Sequence, residues 1–206
     1  MRVVAAGGRT AAARLARGLA LVVALAGSLA ASGCATVAAG TFDRTVQGRS
    51  IEGRLSVRYK DLETGKEDAL SGRFVWTANA DAIELSLLDP LGQTVALIRA
   101  DARASSITFR DGRRVDGATT GELTRRTLGW TVPLEGLGSW LEGRADPSRP
   151  AATLADGRLR QDDWTIRFQP DDTLGPDAPP RRIDLAYPGP PVEIEMRLVV
   201  DRRDAS

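Results

Sequence analysis

The chain has 206 residues with 28 basic and 27 acidic side chains, a formal charge of +1, one cysteine and no histidine. The missing histidine excludes Ser-His-Asp and Cys-His catalysis and histidine-ligated metals, and a lone cysteine excludes an intrachain disulfide. No GxxxxGK[ST] or GxGxxG phosphate loop occurs, so nucleotide chemistry has no motif to rest on.

Arg2, Arg9, Arg14 and Arg17 are the only charges before residue 43, and the apolar run GLALVVALAGSLAAS follows them at 18–32. A basic start, a short apolar stretch and small residues at its end predict a secretory signal peptide over residues 1–33. The stretch is broken by Gly and Ser and is shorter than a bilayer-spanning helix. Ala31 to Cys34, ASGC, resembles the bacterial lipobox, with Ala31 where Leu is preferred. The resemblance makes Cys34 the lipidated first residue of the mature chain. It also implies the outer membrane, because Ala35 stands where an inner-membrane retention signal carries Asp. Losing four arginines takes the charge from +1 to −3, which gives no nucleic-acid footprint and no polybasic patch.

Residues 34–48 read as a lipidated tether, small and polar without a sustained period. From Ser50 the pattern alternates: Ile51, Gly53, Leu55, Val57 and Tyr59 oppose Glu52, Arg54, Ser56 and Arg58, the mark of an antiparallel strand with one wet face. KDLETGKEDALS then reads as a polar connection, and GRFVW (72–76) begins the next strand. AIELSLL (82–88) and TVALIRA (94–100) form a hairpin around Asp89-Pro90-Leu91-Gly92, whose Asp, Pro and Gly suit a type I turn. SSITFR (105–110) follows, with Asp111-Gly112 as its turn and RRVDG as a short partner.

Between Thr119 and Gly143 the period becomes helical. TTGELTRRTLGW predicts a helix stopped by Gly129, with Thr120 and Glu122 near its start. PLEGLGSWLEG then places Leu134, Leu137, Trp140 and Leu141 on one helical face, with Pro133 in the first turn and Gly143 as the stop. Gly136 and Gly138 weaken this helix on propensity, so it must rest on packing. Strands resume at DWTIRF (163–168). QPDDTLGPDAPP (169–180) is a loop, and RRIDLAY and VEIEMRLVV complete the sheet.

Residues 49–206 therefore form one mainly β (α+β) domain. Two short helices cannot cover both faces of so many antiparallel strands. The prediction is a strongly curved sheet, an incomplete or open β-barrel, with the helices over its concave side. The carboxylate pairs Asp162-Asp163 and Asp171-Asp172 raise a glycosidase-like hydrolase, but both sit in polar, loop-like stretches and read as solvated charge. No enzyme and no cofactor is expected.

GRLSV (53–57), GRFVW (72–76), LSLLDPLGQTVALI (85–98), GWTVPLEGLGSWLEG (129–143), QDDWTIRF (161–168) and PRRIDL (180–185), in this order behind a lipobox, resemble the LolB family. One departure is at the C-terminus, where Arg202 and Arg203 stand in place of a Trp that family members often carry after the last strand. The resemblance implies an open β-barrel with a helical lid over an apolar cavity for acyl chains. It implies a monomeric acceptor on the periplasmic face of the outer membrane, anchored through Cys34. Such a protein takes acylated lipoproteins from the soluble carrier LolA and inserts them into outer-membrane lipid.

Cavity candidates follow from the inward alternation and the helix face: Leu55, Val57, Phe74, Trp76, Leu85, Leu87, Leu137, Trp140, Leu141, Ile194, Met196 and Leu198. A filled core and a ligand cavity look alike in a sequence, so a structural or envelope-assembly lipoprotein with a filled β core stands as the alternative. Leu91 is an odd residue for a turn tip. It either folds back onto its hairpin or, as the resemblance implies for Pro90-Leu91-Gly92, protrudes and touches lipid.

Overall fold

A computed structural model describes residues 46–204 apart from Pro133, Asp172 and Pro176. The predicted signal peptide, Cys34 and most of the tether lie outside the described residues. Residues from Ala39 to Ser206 make a compact unit of their own.

Among the described residues eleven antiparallel strands form a single sheet: β1 (Arg49–Asp61), β2 (Glu67–Ala78), β3 (Ala82–Leu88), β4 (Thr94–Asp101), β5 (Ser105–Phe109), β6 (Arg114–Gly117), β7 (Ala151–Thr153), β8 (Leu159–Gln161), β9 (Trp164–Gln169), β10 (Arg182–Tyr187) and β11 (Val192–Asp204). Among the described residues two helices, α1 (Thr120–Leu128) and α2 (Leu134–Leu141), lie between β6 and β7 in the chain. The order across the sheet is β6-β5-β4-β3-β2-β1-β11-β10-β9-β8-β7, so every neighbour is a sequence neighbour except where β1 meets β11. That pairing, Leu55 opposite Leu198 and Val57 opposite Met196, joins the first and last described strands in the middle of the sheet. The edges β6 and β7 do not pair with each other, so the barrel is open.

Hairpin closure uses one device repeatedly. Asp61, Asn79, Asp89, Asp101, Asp111 and Asp156, at or just after a strand end, each accept hydrogen bonds from backbone N–H groups two to four residues on. This is the Asx-turn preference of Asp and Asn made structural.

β2 begins five residues earlier than GRFVW suggests. Its first half, Glu67–Ser71, is exposed on both faces and is held by register with β1 alone, since β3 reaches only as far as Arg73. β7 and β8 are additions that alternation does not reveal, because three residues cannot display a period.

α1 is capped by Thr119, whose hydroxyl accepts from Glu122 N at 3.2 Å, and it ends on Gly129 in the left-handed region. The cap is therefore one residue before Thr120. The Thr120 hydroxyl instead bonds Glu135 in α2, and the Thr124 hydroxyl accepts from Val132 N at 2.9 Å, which ties the two helices together.

The glycines of α2 are explained by close packing. A Cβ at Gly138 would stand 2.4 Å from Cζ2 of Trp76, a ring itself buried in the sheet. The helix lies on the sheet only because that side chain is missing. Gly138→Ala is expected to lower stability by about 1–2 kcal/mol, since overpacking against a fixed ring outweighs the gain in helix propensity. Urea unfolding of the purified domain checks this.

The C-terminal strand runs on to Asp204. Arg203 donates to the carbonyls of Leu141 (3.0 Å) and Pro180 (2.6 Å), and Arg202 pairs with Glu52 at 2.9 Å. An arginine thus satisfies the carboxyl end of α2 at the place where the resemblance leads one to expect a tryptophan.

Candidate functional site: an apolar cavity under the helices

The concave side of the sheet and the α1–α2 segment enclose a cavity of about 320 Å³. Its walls reach from Ile98 on β4 to Trp164 on β9. These strands are six positions apart, roughly 29 Å in a flat sheet, so the sheet must curl to bring them to one cavity. Of its nineteen lining residues, Asp68 alone is charged, and it stands exposed at the rim.

Nine of the twelve cavity candidates stand in this lining: Leu55, Val57, Phe74, Leu85, Leu87, Leu137, Trp140, Met196 and Leu198. Trp76, Leu141 and Ile194 do not. Trp76 is taken up by contact with Gly138, and Leu141 and Ile194 are buried in the packed core. The sequence reading missed Tyr59, Leu70, Ile98, Leu128, Trp130, Val132, Trp164 and Leu185 as lining residues. Ile98, Trp164 and Leu185 carried the right signal, an inward position on a recognised strand. Trp130 and Val132 carried none, because they lie in the non-periodic link between the helices.

One end of the cavity is aromatic. The Trp130 and Trp164 rings meet edge to face at 5.8 Å, and Tyr187 lies 5.5 Å from Trp164. The lid is fixed from below by Gln161, which is 1 % exposed. Its Oε1 accepts from Trp140 Nε1 (2.8 Å) and Asp146 N (2.9 Å), and its Nε2 donates to the carbonyls of Asp146 (2.8 Å) and Arg149 (3.1 Å). All four hydrogen-bonding directions of one buried amide are used.

The lining runs from Phe74 and Leu85 in mid-sheet to Tyr59, Asp68 and Leu70 near the β1–β2 hairpin. Leu70 is 60 % exposed and Leu128 39 %, so the rim stays apolar where it opens. The β3–β4 turn lies at this same end of the sheet, because β3 runs antiparallel to β2 and ends opposite Arg73. Asp89 Oδ1 accepts from Leu91 N and Gln93 N, both at 2.9 Å, and Gly92 N donates to Asp89 O. Gly92 takes φ +83°, which closes the turn in a conformation that disfavours side chains. Leu91 is held at the tip with 85 % of its surface exposed and does not fold back onto its hairpin.

The carboxylates raised from sequence form no catalytic pair among the described residues. Asp162 bonds Arg149 at 2.6 Å, Asp163 is exposed, and Asp171 accepts from Thr173; Asp172 lies outside the described residues.

Several turn carboxyls are held below the ordinary range. The N–H of Thr64 does this for Asp61, that of Arg103 for Asp101, that of Arg158 for Asp156, and the hydroxyl of Thr173 for Asp171. Burial alone would raise Asp146, but the Ser148 N–H and hydroxyl and the Arg149 guanidinium together bring it down. A depressed folded-state pKa stabilises the fold above the unfolded value of about 3.9, and that contribution disappears as pH falls through the folded value. With no histidine to titrate, denaturation midpoints should be nearly flat from about pH 5 to 8 and fall below about pH 4. A pH series of urea melts tests both limbs.

Comparison with known proteins identifies relatives along most of the chain. The family described as "Outer membrane lipoprotein LolB" matches residues 47–202. A Thiobacillus denitrificans protein named outer-membrane lipoprotein LolB is 35 % identical over 195 residues, covering 90 % of this chain and 96 % of the relative. Proteins of the same name from Cupriavidus pinatubonensis (32 % over 167 residues; 76 % of this chain, 80 % of the relative) and Ralstonia nicotianae (30 % over 202 residues; 89 % and 95 %) are similar to it as well. With the match spanning nearly all of the sheet and both helices, the chain belongs to the LolB family.

Proposed function

We propose that this protein is an outer-membrane lipoprotein acceptor. It receives acylated lipoproteins from the periplasmic carrier LolA, holds their acyl chains in the cavity under α1 and α2, and inserts them into the outer membrane. It acts as a monomer on the periplasmic face, anchored by a lipidated Cys34 after loss of residues 1–33, and it needs neither a cofactor nor a catalytic residue. The observation that supports this reading is the apolar cavity whose rim shares one end of the sheet with the Leu91 turn.

The energetics suit that role. Each methylene brought out of water is worth about 0.8 kcal/mol, so a multi-acyl anchor cannot cross water unshielded. The cavity offers a nearly charge-free wall with a tryptophan-rich end and an open rim. If it binds acyl chains more tightly than the carrier does, transfer runs downhill without nucleotide hydrolysis.

The test is to mix the unlipidated domain with a carrier–lipoprotein complex and follow the lipoprotein by size exclusion. Transfer to the domain is expected, and none would end the proposal. Met196→Trp, which places an indole in the cavity from a half-buried position, should weaken binding of a fluorescent acyl probe at least about tenfold with little change in stability.

A further inference from the structure

The outer face of the sheet carries both signs, with Glu52, Glu67, Asp184, Glu193, Glu195 and Asp201 among its arginines, but not every arginine there is paired. Of the 28 basic side chains, only Lys60 and Lys66 are lysine, and many of the arginines stand on the outer face of the sheet. Across β8, β9, β10, β11, β1 and β2 that face presents Arg160, Arg167, Arg182, Arg197, Arg58 and Arg73, each next to an inward apolar residue. Asp184 already pairs with both Arg182 (2.9 Å) and Arg197 (2.8 Å), and Glu195 lies 3.7 Å from Arg58. Among the described residues, Arg73, Arg160 and Arg167 have no carboxylate within ion-pair distance. A shallow groove on this face is lined by Arg58, Arg167, Arg182 and Arg197, with Asp184, Glu195 and the hydroxyl residues Ser56, Ser71 and Thr165 beside them.

We propose that this arginine face docks on the phosphate groups of lipid headgroups, so that the domain meets an anionic bilayer through two contacts. This rests on the delivery reading above and adds the class of lipid. Two observations favour a membrane over an acidic protein. Guanidinium groups bind phosphate oxygens bidentately, and apart from Lys60, which pairs with Glu67, the basic residues of this face are arginines. It is also continuous with the exposed leucine, because Arg73 lies opposite Leu88, the last residue of β3 before the turn that carries Leu91. One inserted apolar group gives only marginal membrane binding, and a neighbouring basic surface is the usual second contact.

The experiment uses the chain from Ala35 onward, which keeps the whole compact unit that starts at Ala39. Flotation is measured with phosphatidylcholine vesicles, with and without about 30 % phosphatidylglycerol. Binding to the anionic vesicles should be at least about tenfold tighter and should disappear in about 0.5 M salt. The variant combining Arg73→Gln, Arg160→Gln and Arg167→Gln breaks no described ion pair and should lose about fivefold per arginine on anionic vesicles only. Its acyl-probe binding should match the parent. Equal binding to both vesicle types, a variant that binds like the parent, or polyglutamate bound as tightly as anionic vesicles would each overturn the inference. Failure of the parent to bind the acyl probe would instead overturn the cavity reading.

Discussion

Leu91→Glu is expected to leave the domain folded and acyl-probe binding unchanged while lowering delivery of lipoproteins into bilayers at least about tenfold. The fold is indifferent because the turn is built by its neighbours. Asp89 accepts the turn's backbone N–H groups, Gly92 supplies the left-handed residue, and the Leu91 side chain is almost wholly in water. The bilayer is not indifferent. A leucine entering acyl chains contributes roughly 1.5–3 kcal/mol, enough to orient a tethered domain but not to anchor it. A glutamate there reverses the sign, because its charge must be desolvated. Delivery is read as protease-resistant or vesicle-floating lipoprotein, alongside a urea melt and a probe titration of the same preparation. Unchanged delivery would remove Leu91 from the account and leave the cavity untouched.

The largest effect on stability is expected at Gln161. Gln161→Ala would strand Trp140 Nε1, Asp146 N and the carbonyls of Asp146 and Arg149 in a site with almost no access to water. Each unmet buried group costs about 1–3 kcal/mol, and partial relaxation brings the expected loss to about 3–5 kcal/mol. Gln161→Glu keeps the two accepted bonds but sets a buried carboxylate oxygen against the carbonyls of Asp146 and Arg149, so it should cost at least as much as the alanine variant. The consequence reaches the cavity, because Trp140 is both a partner of Gln161 and part of the lining. Denaturant midpoints and acyl-probe affinity should therefore decline together in this series. In Gly138→Ala, stability alone is predicted to fall.

Much of the sheet was legible because alternation is a direct image of a curved sheet with one dry face. Leu55 and Val57 on β1 and Met196 and Leu198 on β11 are inward in sequence and in space. Alternation fails where burial does. The first half of β2 is wet on both sides and reads as a connection, and β7 is exposed at all three residues. The inward face was legible, but its division into core and cavity wall was not. Trp76 and Leu85 are cross-strand partners with the same inward aspect, yet only Leu85 lines the cavity, because α2 settles on Trp76 through Gly138. That depends on where a helix lands some sixty residues later.

The central claim, that acyl chains occupy the space under α1 and α2, is tested most directly by photocrosslinking. A lipoprotein with a photoreactive group near the end of an acyl chain is transferred to the protein, irradiated, and the adducts are mapped by mass spectrometry. Adducts are expected on peptides that contain Leu55–Tyr59, Trp130–Leu137 and Met196–Leu198. Adducts confined to the outer arginine face or to the exposed hairpins, with none on these three segments, would contradict it.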